Sequence, residues 1–521
     1  MNFDLNNRAA CSDSRISVPK GRRTRPASML LGAITACLAL ASCAIKEPPT
    51  GADILTDRAR SKIPGQWSGN HRSGEVVPNW IRSFGDPELT RIVEDAVTRN
   101  PDLAAAAARV EASRAAVRVA AASLYPRIAL KGLGERQGRE ITSSRGAGID
   151  PPDLGGLGVD LSSGSSDTSV LDPSTQRWVY GIGIGASWEL DVWGRVRSRK
   201  AAAKADSAAL EADYEFARQS LAAAVARAYF STIEAAQQAA NAEETLGLYQ
   251  EYLKLTDVRK EQGHASDFEL AQVKSRTANA RDTLYAAQAA RAQAIRAIEV
   301  VTSNYPAGKL ATRRSFPGQP KAVPAGLPAQ LLERRPDVVA AERRFAAAFH
   351  RVNEARTARL PRFSLSASSG MGTAQLDTVG VIEAVNWSLA AGVIQPIFFG
   401  GELKAAQDIR TAEQKAAVAS YHGVALRAFE DVENALANDY YLRKREGALN
   451  DMVESSATSV KLGRVQLDQG QADMFTILRL AGENLGAKVE LTKIRASRLR
   501  ERVNLHLALG GDFKGTGMPA K

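Results

Sequence analysis

The sequence has no run of about 18 or more apolar residues, the length an ordinary transmembrane helix needs. It holds three cysteines and five histidines in 521 residues, too few for a disulfide scaffold or a zinc framework. The histidines, His71, His264, His350, His422 and His506, lie far apart and show no metal-ligand spacing. No G-x-S-x-G, Walker A or catalytic Cys/His set occurs, so enzyme chemistry is not expected. No Lys/Arg stripe interleaved with aromatics occurs, so nucleic acid is not an expected partner. Apolar residues at 44% and charged residues at 24% exclude a disordered chain and a polytopic helical membrane protein. The length is too great for one core and suits several domains or one elongated body.

What is present begins with a processing signal. Lys20, Arg22, Arg23 and Arg25 form a basic segment before an apolar stretch of 13 residues, Met29 to Ala41. That stretch is too short to span a bilayer and right for a signal peptide. It ends in Leu40-Ala41-Ser42-Cys43, which resembles a bacterial lipobox. The resemblance implies cleavage before Cys43 and diacylglycerol plus an N-acyl chain on its sulfur and amine, with no other cofactor. The alternative is an ordinary signal peptide followed by a chance cysteine. Cys11 and Cys37 fall inside the removed segment. Removing its six basic and two acidic residues takes the net charge from +11 to +7. In lipoprotein families of this kind an aspartate after the cysteine favours inner-membrane retention, so Ala44 implies the outer membrane.

The rest of the chain is one unit written twice. Pro101, Arg109, Ala112, Val117 and Pro126 recur 235 residues later as Pro336, Arg344, Ala347, Val352 and Pro361. Further on the spacing becomes 207: Gly194 with Gly401, Tyr214 with Tyr421, Gln262-Gly263 with Gln469-Gly470, and Phe268 with Phe475. The first copy therefore carries 28 extra residues, in a Gly/Ser/Asp-rich stretch around 132–175 that reads as a long loop. Duplication is the natural account of matches in this order. The expected organisation is a signal (1–42), a lipidated N-terminal and equatorial segment (43–100) and a first repeat (101–304). A Pro-rich linker (305–335), a second repeat (336–511) and a tail (512–521) follow.

Each copy contains strands with a period of two. From Trp178 to Val192 the even positions are apolar or small, while Gly181, Gly183, Gly185, Ser187, Glu189 and Asp191 occupy most odd ones. Phe363, Leu365 and Ala367 alternate with serines, as do Trp387, Leu389, Ala391 and Val393 with small residues; before the loop only Ile128 and Leu130 are clear. Tryptophans near the strand ends suit a membrane barrel, although a soluble sandwich strand alternates the same way. Four strands cannot close a barrel, and lipid tolerates no open edge, so several chains must pool them.

The helices set the length scale. Arg195–Gln262 and Glu402–Gln469 each run 68 residues without proline. At 1.5 Å per residue each reaches about 100 Å, which no compact domain needs. Leu221, Val225, Ala228, Thr232 and Ala235 open a coiled-coil seam that continues to Thr256. Gly263 and Gly470 suit the position after a helix end. The chain restarts at Ser266, with Glu269 in capping-box spacing, and at Asp473. Return helices 264–304 and 471–509, each taken with one 25-residue helix (101–125 or 336–360), nearly equal a long helix, giving four helical lines per chain.

These features together resemble an outer membrane factor of the TolC-like superfamily, of the NodT-like efflux lipoprotein type. The carrying residues are Cys43, Trp80-x-x-x-Phe84-x-Asp86-Pro87-x-Leu89, Leu124-Tyr125-Pro126, and Glu189-Leu190-Asp191-x-x-Gly194-Arg195. Leu331-Leu332-x-Arg334-Arg335-Pro336-Asp337, Gln395-Pro396-Ile397-Phe398-x-Gly400-Gly401 and Ala508-Leu509-Gly510-Gly511 complete them. The resemblance implies an α+β membrane fold in which a homotrimer pools twelve strands and twelve helical lines into a β-barrel and a periplasmic α-barrel. It implies a passive exit duct in the outer membrane of a Gram-negative bacterium, lipid-anchored and spanning, fed by a periplasmic adaptor and an inner-membrane pump of RND type. Drug or small-solute efflux is the expected use, with metal efflux or type I protein secretion as alternatives and a coiled-coil scaffold as a more distant one. Gly263, Ser266, Glu269, Gly470, Asp473 and Arg479 are implied at the closed periplasmic tip, as adaptor contacts and gate. Relatives commonly place an aspartate where this chain has Arg479, so an acidic ring is not expected. Glu269, matched to it in the first turn, is expected to pair with Arg479 across neighbouring helices.

Overall fold

The structure, a computed structural model, describes residues 47–50, 54, 63–69, 74, 79–140, 153–154, 159–160, 174–318, 323–376 and 380–511. Cys43, the signal segment and the tail 512–521 lie outside the described residues. After a 3-10 turn at Trp80–Phe84 come α1 (Pro87–Arg99), α2 (Pro101–Ala122), β1 (Arg127–Glu140), β2 (Asp153–Leu154), β3 (Val159–Asp160) and β4 (Ser174–Leu190). The long helix α3 (Arg195–Glu261) and α4 (Asp267–Val301) end the first copy. After α5 (Pro328–Arg334) the order repeats as α6 (Pro336–Thr357), β5 (Arg362–Leu376), β6 (Gly380–Ile394), α7 (Glu402–Asp468) and α8 (Met474–Ala508).

The four long strands form one antiparallel sheet in the order β1-β4-β5-β6. Register places the apolar positions on a single face: Leu130 pairs with Ile184, Ile182 with Met371, and Ala367 with Leu389. Trp387 and Leu389 are 80% and 76% exposed, and Ile128, Leu130, Ile182 and Ile184 are exposed too. No helix layer covers this face among the described residues, and the short β3 is laid against β5 and β6. A sandwich strand would bury it, whereas a wall facing hydrocarbon exposes it. The opposite face carries Gly183, Gly185, Ser366, Ser368 and Ser388. Trp188 and Trp193 close the sheet base by donating their indole N–H to the Leu124 and Pro361 carbonyls, both at 2.9 Å.

The long helices α3 and α7 hold 67 residues each, as the proline-free runs require. The short helices stop three residues sooner than expected, at Ala122 and Thr357. The residue before a proline is disfavoured in helical conformation, so the chain leaves by tight turns (Tyr125 N to Ala122 O 3.1 Å, Leu360 N to Thr357 O 3.1 Å). The return helices hold 35 residues each, because turns occupy the remainder. Gly510 lies against the Arg334–Arg335 backbone, so α8 ends where α6 begins and the two continue one line. Side by side the order is α2, α3, α6, α7 toward the sheet and α4, α3, α8, α7 toward the turns.

Helices α1 and α5 lie in the non-repeated segments, and their starts have a clear cause. Asp86 accepts the Glu88 and Leu89 N–H groups at 3.0 and 3.3 Å ahead of Pro87, and Pro328 opens α5. Both helices belong to a belt of non-repeated chain laid on the rods. Trp80, Phe84, Leu89 and Ile92 pack on Tyr229, Phe230 and Ile233 of α3 and on Leu499 and Val503 of α8. Trp67, Val323 and Leu331 pack on Tyr421, Ala425 and Val432 of α7 and on Leu505. Burying each such side chain contributes about 1.5–3 kcal/mol. Two carboxylates fix the belt's irregular segments. Glu299 accepts the N–H groups of Gly308, Lys309 and Leu310 at 2.6, 2.8 and 2.9 Å. Glu433 accepts those of Ser68 and Gly69 at 2.8 and 2.9 Å. Burial alone would raise the Glu299 carboxyl, but its three amide donors hold it below the usual range.

Candidate functional site

The two turns at the foot of the rods share one construction. Gly263 (φ +76°) and Gly470 (φ +70°) take the left-handed conformation that closes a helix. Gly263 N donates to Lys260 O at 2.9 Å and His264 N to Arg259 O at 2.7 Å; Gly470 N donates to Leu467 O at 3.0 Å and Gln471 N to Gln466 O at 2.8 Å. This paired pattern satisfies the last carbonyls of α3 and α7. A side chain at either glycine costs about 1–2 kcal/mol of backbone strain.

Ser266 caps α4 in a complete capping box: Glu269 N donates to Ser266 Oγ at 3.2 Å, and Ser266 N to Glu269 Oε2 at 2.7 Å. Asp473 caps α8, accepting Thr476 N at 2.8 Å. Hydrogen bonds from the Thr476 hydroxyl and amide hold its carboxyl below the usual range. Lys260 and Asp267 pair at 2.5 Å across the first turn. Their hydrogen bond and mutual charge raise the lysine and lower the aspartate.

Between the first turns of α4 and α8 opens a groove of about 580 Å³. Phe268 and Phe475, 207 residues apart and therefore equivalent in the two copies, form its walls, 70% and 52% exposed. Val273, Met474 and Leu478 form the floor, and Ser266, Glu269, Gln272 and Asp473 the rim. Two exposed phenylalanines over an apolar floor mark a contact surface rather than a solvated helix end. The sequence displayed these phenylalanines as a repeat; only folding brings them to one groove.

The expected Glu269–Arg479 pair is absent from the chain. Arg479 Nη1 donates to Glu483 at 2.6 Å, one turn along its own helix, and Glu269 is committed to Ser266. The spacing of 207 in fact sets Arg479 against Gln272, not Glu269. The side chain that does cross between copies near the tip is Arg464 of α7. It donates to Tyr252 Oη of α3 at 3.2 Å and lies 3.9 Å from Glu251. The Tyr252 hydrogen bond leads the effects that raise Arg464 above its ordinary value. Nothing in the sequence singled out one arginine on a helix rich in charge. Higher up, α8 is tied to α3 by Lys488–Glu244 at 2.6 Å and by Asn241 to Thr492 at 3.2 Å. Tyr249, Tyr252, Val273, Leu467, Ile477 and Leu478 form the small core that seats both turns. Among the described residues there is no cluster of His, Cys, Asp or Glu that could hold a metal ion. No helix there is long and apolar enough to cross a membrane.

A family model described as Outer membrane efflux protein matches residues 92–303 and 327–511. The pyoverdine export outer membrane protein OpmQ of Pseudomonas putida is 28% identical over 482 residues, covering 92% of this chain and 96% of OpmQ. The toluene efflux pump outer membrane protein TtgF of the same species is 29% identical over 491 residues, covering 91% of this chain and 96% of TtgF. The solved outer-membrane channel OprN superposes with a TM-score of 0.74 at 25% identity, covering 87% of this chain and 99% of OprN.

Proposed function

The chain belongs to the outer membrane efflux protein family, and from that premise we propose that three copies complete one exit duct, held shut at its turns until an adaptor docks there. The protein is an outer-membrane efflux channel that extends into the periplasm. As the outer-membrane component of an efflux pump it works with an adaptor and an inner-membrane pump. Energy comes from that pump, because this chain carries no nucleotide-binding motif; an RND-type pump is what the family resemblance implies.

One observation carries closure by sister chains, and the number three is what the family resemblance implies. The strand order leaves β1 and β6 as open edges, and the helix order leaves α2 and α4 on one side and α7 on the other. β1 follows α2 and β6 precedes α7, so both kinds of edge fall on the same two sides. An unpaired strand edge is not tolerated in hydrocarbon. A sister chain satisfies it by pairing β6 with β1 and laying α7 against α2 and α4. Exposed Leu426, Tyr441, Met452 and Leu462 on α7, and Val119 and Tyr285 opposite, support that contact. Three copies of a four-stranded sheet give twelve strands. Outer-membrane fractionation should yield a heat-sensitive trimer; a compact, lipid-free monomer in plain buffer overturns the reading.

The groove between Phe268 and Phe475 is the adaptor contact in this reading, and the tip residues Gly263, Ser266, Gly470 and Asp473 set its shape. Phe268→Asp with Phe475→Asp should abolish adaptor co-purification while the trimer persists. Cys43 carries the lipid, which mass spectrometry of the mature N-terminus would reveal as an acylated cysteine. Relatives of nearly equal identity are described with pyoverdine in one case and toluene in the other. Small-solute efflux is therefore favoured over protein secretion, with the individual cargo set by the pump.

A further inference from the structure

The contacts of the chain repeat unevenly. Arg127 lies opposite Ser187 where β1 meets β4, and the pair recurs as Arg362 opposite Ile394 where β5 meets β6, at the repeat offsets of 235 and 207. The α2–α3 contact recurs likewise as α6–α7. The seam between the copies, α3 on α6 and β4 on β5, has no second instance among the described residues. There Arg199 of α3 pairs with Glu354 of α6 at 2.7 Å, and Asp206 and Asp213 pair with Arg351 and Arg344. Ala202 and Ala209 fall in the same stripe of α3, Ala340 and Ala347 in that of α6, and all four are buried. Carried by the offsets, the two stripes become Ala406, Ile409, Glu413, Ala416 and Ser420 on α7, and Ala105, Arg109, Ala112, Ala116 and Val119 on α2. All ten are exposed, Ile409 and Val119 at 58% and 72%. The stripes that meet inside the chain are therefore bare on its two outer edges.

We propose that sister chains meet in a seam that copies the inner one residue for residue, α2 of one copy on α7 of the next and β1 on β6, but without its ion pairs. The proposal rests on the reading of sister chains closing one tube, and adds the register and the chemistry of their contact. The three charged pairs give way to Ala406 facing Val119, Glu413 facing Ala116 and Ser420 facing Arg109. Glu413 is held instead by Arg410 of its own helix at 2.8 Å. The strands agree with the helices. Ala186 opposite Ala367 becomes Val393 opposite Gly132, and Ile184 opposite Ser369 becomes Ala391 opposite Gly134. A slip of one residue would turn a strand over. The offsets avoid this: Val393 shares the apolar face with Leu389, and Gly132 shares it with Leu130. A Cβ on Gly132 would meet nothing in its own chain, which leaves room for Val393, 62% exposed. Charge thus clasps the inner seam, while small and apolar side chains fill the outer one, so salt screening leaves the outer contact intact.

The test places cysteines in the full-length protein in its own membrane. Val393→Cys with Gly132→Cys sets two thiols opposite each other on neighbouring strands, at the separation a disulfide needs. It should yield two- and three-chain bands that a reductant removes. Val393→Cys with Gly134→Cys, two residues out of register, should yield none, and each single cysteine controls for Cys43. The helices are read by charge. Ser420→Asp, facing Arg109, should raise the temperature at which the trimer band disappears by a few degrees relative to Ser420→Lys, and Arg109→Gln should abolish that difference. A trimer that gives bands from the slipped pair alone, or from neither pair, overturns the strand register. A charge effect that is missing, or that persists without Arg109, overturns the helix register. Both results leave the duct standing. Failure to find any trimer in wild-type protein overturns the duct reading instead.

Discussion

Replacing Arg464 with alanine removes the one side-chain bridge described between the long helices close to the turns. Tyr252 is 3% exposed, and its hydroxyl accepts from a guanidinium whose side chain is 43% exposed. A hydrogen bond to a charged group is worth about 1.5–3 kcal/mol, and partial exposure brings this one to about 1. Glu251 is 68% exposed and 3.9 Å away, so it adds a few tenths at most, roughly. The guanidinium also sits 5.4 Å from the Tyr252 ring centroid, a contact worth about 0.5 kcal/mol at such a site. In the duct proposed above, the bridge would stabilise the arrangement of the turns described here, read as the closed one, by about 1.5–2 kcal/mol per copy, and each 1.4 kcal/mol is about tenfold in an equilibrium. Arg464→Ala should raise the open-to-closed ratio by about an order of magnitude per copy, read as longer open dwell times in single-channel recordings. Tyr252→Phe, which keeps the ring and loses the acceptor, should reproduce roughly half of the free-energy change. Arg479→Glu should change dwell times little, because its partner Glu483 lies on the same helix. If Arg479→Glu opens the channel and Arg464→Ala does not, the bridge has been wrongly assigned.

Other expectations concern stability. His506 is buried, stacks on Trp80 at 5.4 Å and has no hydrogen-bond partner on either nitrogen. Burial, then the Arg502 charge, lowers it to about 3 from 6.5. The unfolded chain takes up the proton first, so stability is complete above pH 6.5 and falls as pH drops toward 3, by up to about 1.4 kcal/mol per unit. His506→Leu should flatten that slope in denaturation midpoints measured against pH. Asp86→Ala removes the α1 cap and leaves the Tyr229 hydroxyl, now 3.0 Å from Asp86, without its acceptor. A loss of about 2–4 kcal/mol is expected in chemical denaturation, and Asp86→Asn, which keeps an oxygen acceptor, should lose less than half as much. Gly470→Val strains a residue at φ +70°; adaptor affinity should fall while the trimer survives, and unchanged affinity would show that the turn is not the docking surface.

Much of this architecture could be read before folding because its determinants are local. Asn100-Pro101, Ser266 with Glu269, and Asp473 each announce a helix start, and the structure shows the corresponding caps. Gly263 and Gly470 end helices through their own backbone freedom. The period of two through Trp178–Leu190 assigned a face that the register then extended across four strands. What escaped depends on contacts distant in sequence. Belt helix α1 is fixed by Tyr229 and Leu499, far along the chain. The Tyr252–Arg464 bridge spans 212 residues. The turn pattern pointed Arg479 at a partner across helices, yet Glu483, four residues on, satisfies it at lower entropic cost. A charged side chain on a helix cannot announce which neighbour it will choose when a local one suffices.

Glu299 and Glu433 hold the irregular belt by its amide hydrogens, not by its side chains. Every residue except proline presents that hydrogen, but Gly308 sits at φ +71° and a Cβ at Gly69 would meet Leu436 at 2.9 Å, so only the exposed positions beside them, such as Ser68 and Lys309, are free to vary. Drift at those exposed positions leaves the path unchanged as long as the two acids remain, so new surface chemistry can be tried on the outside of the tube without retuning the rods beneath.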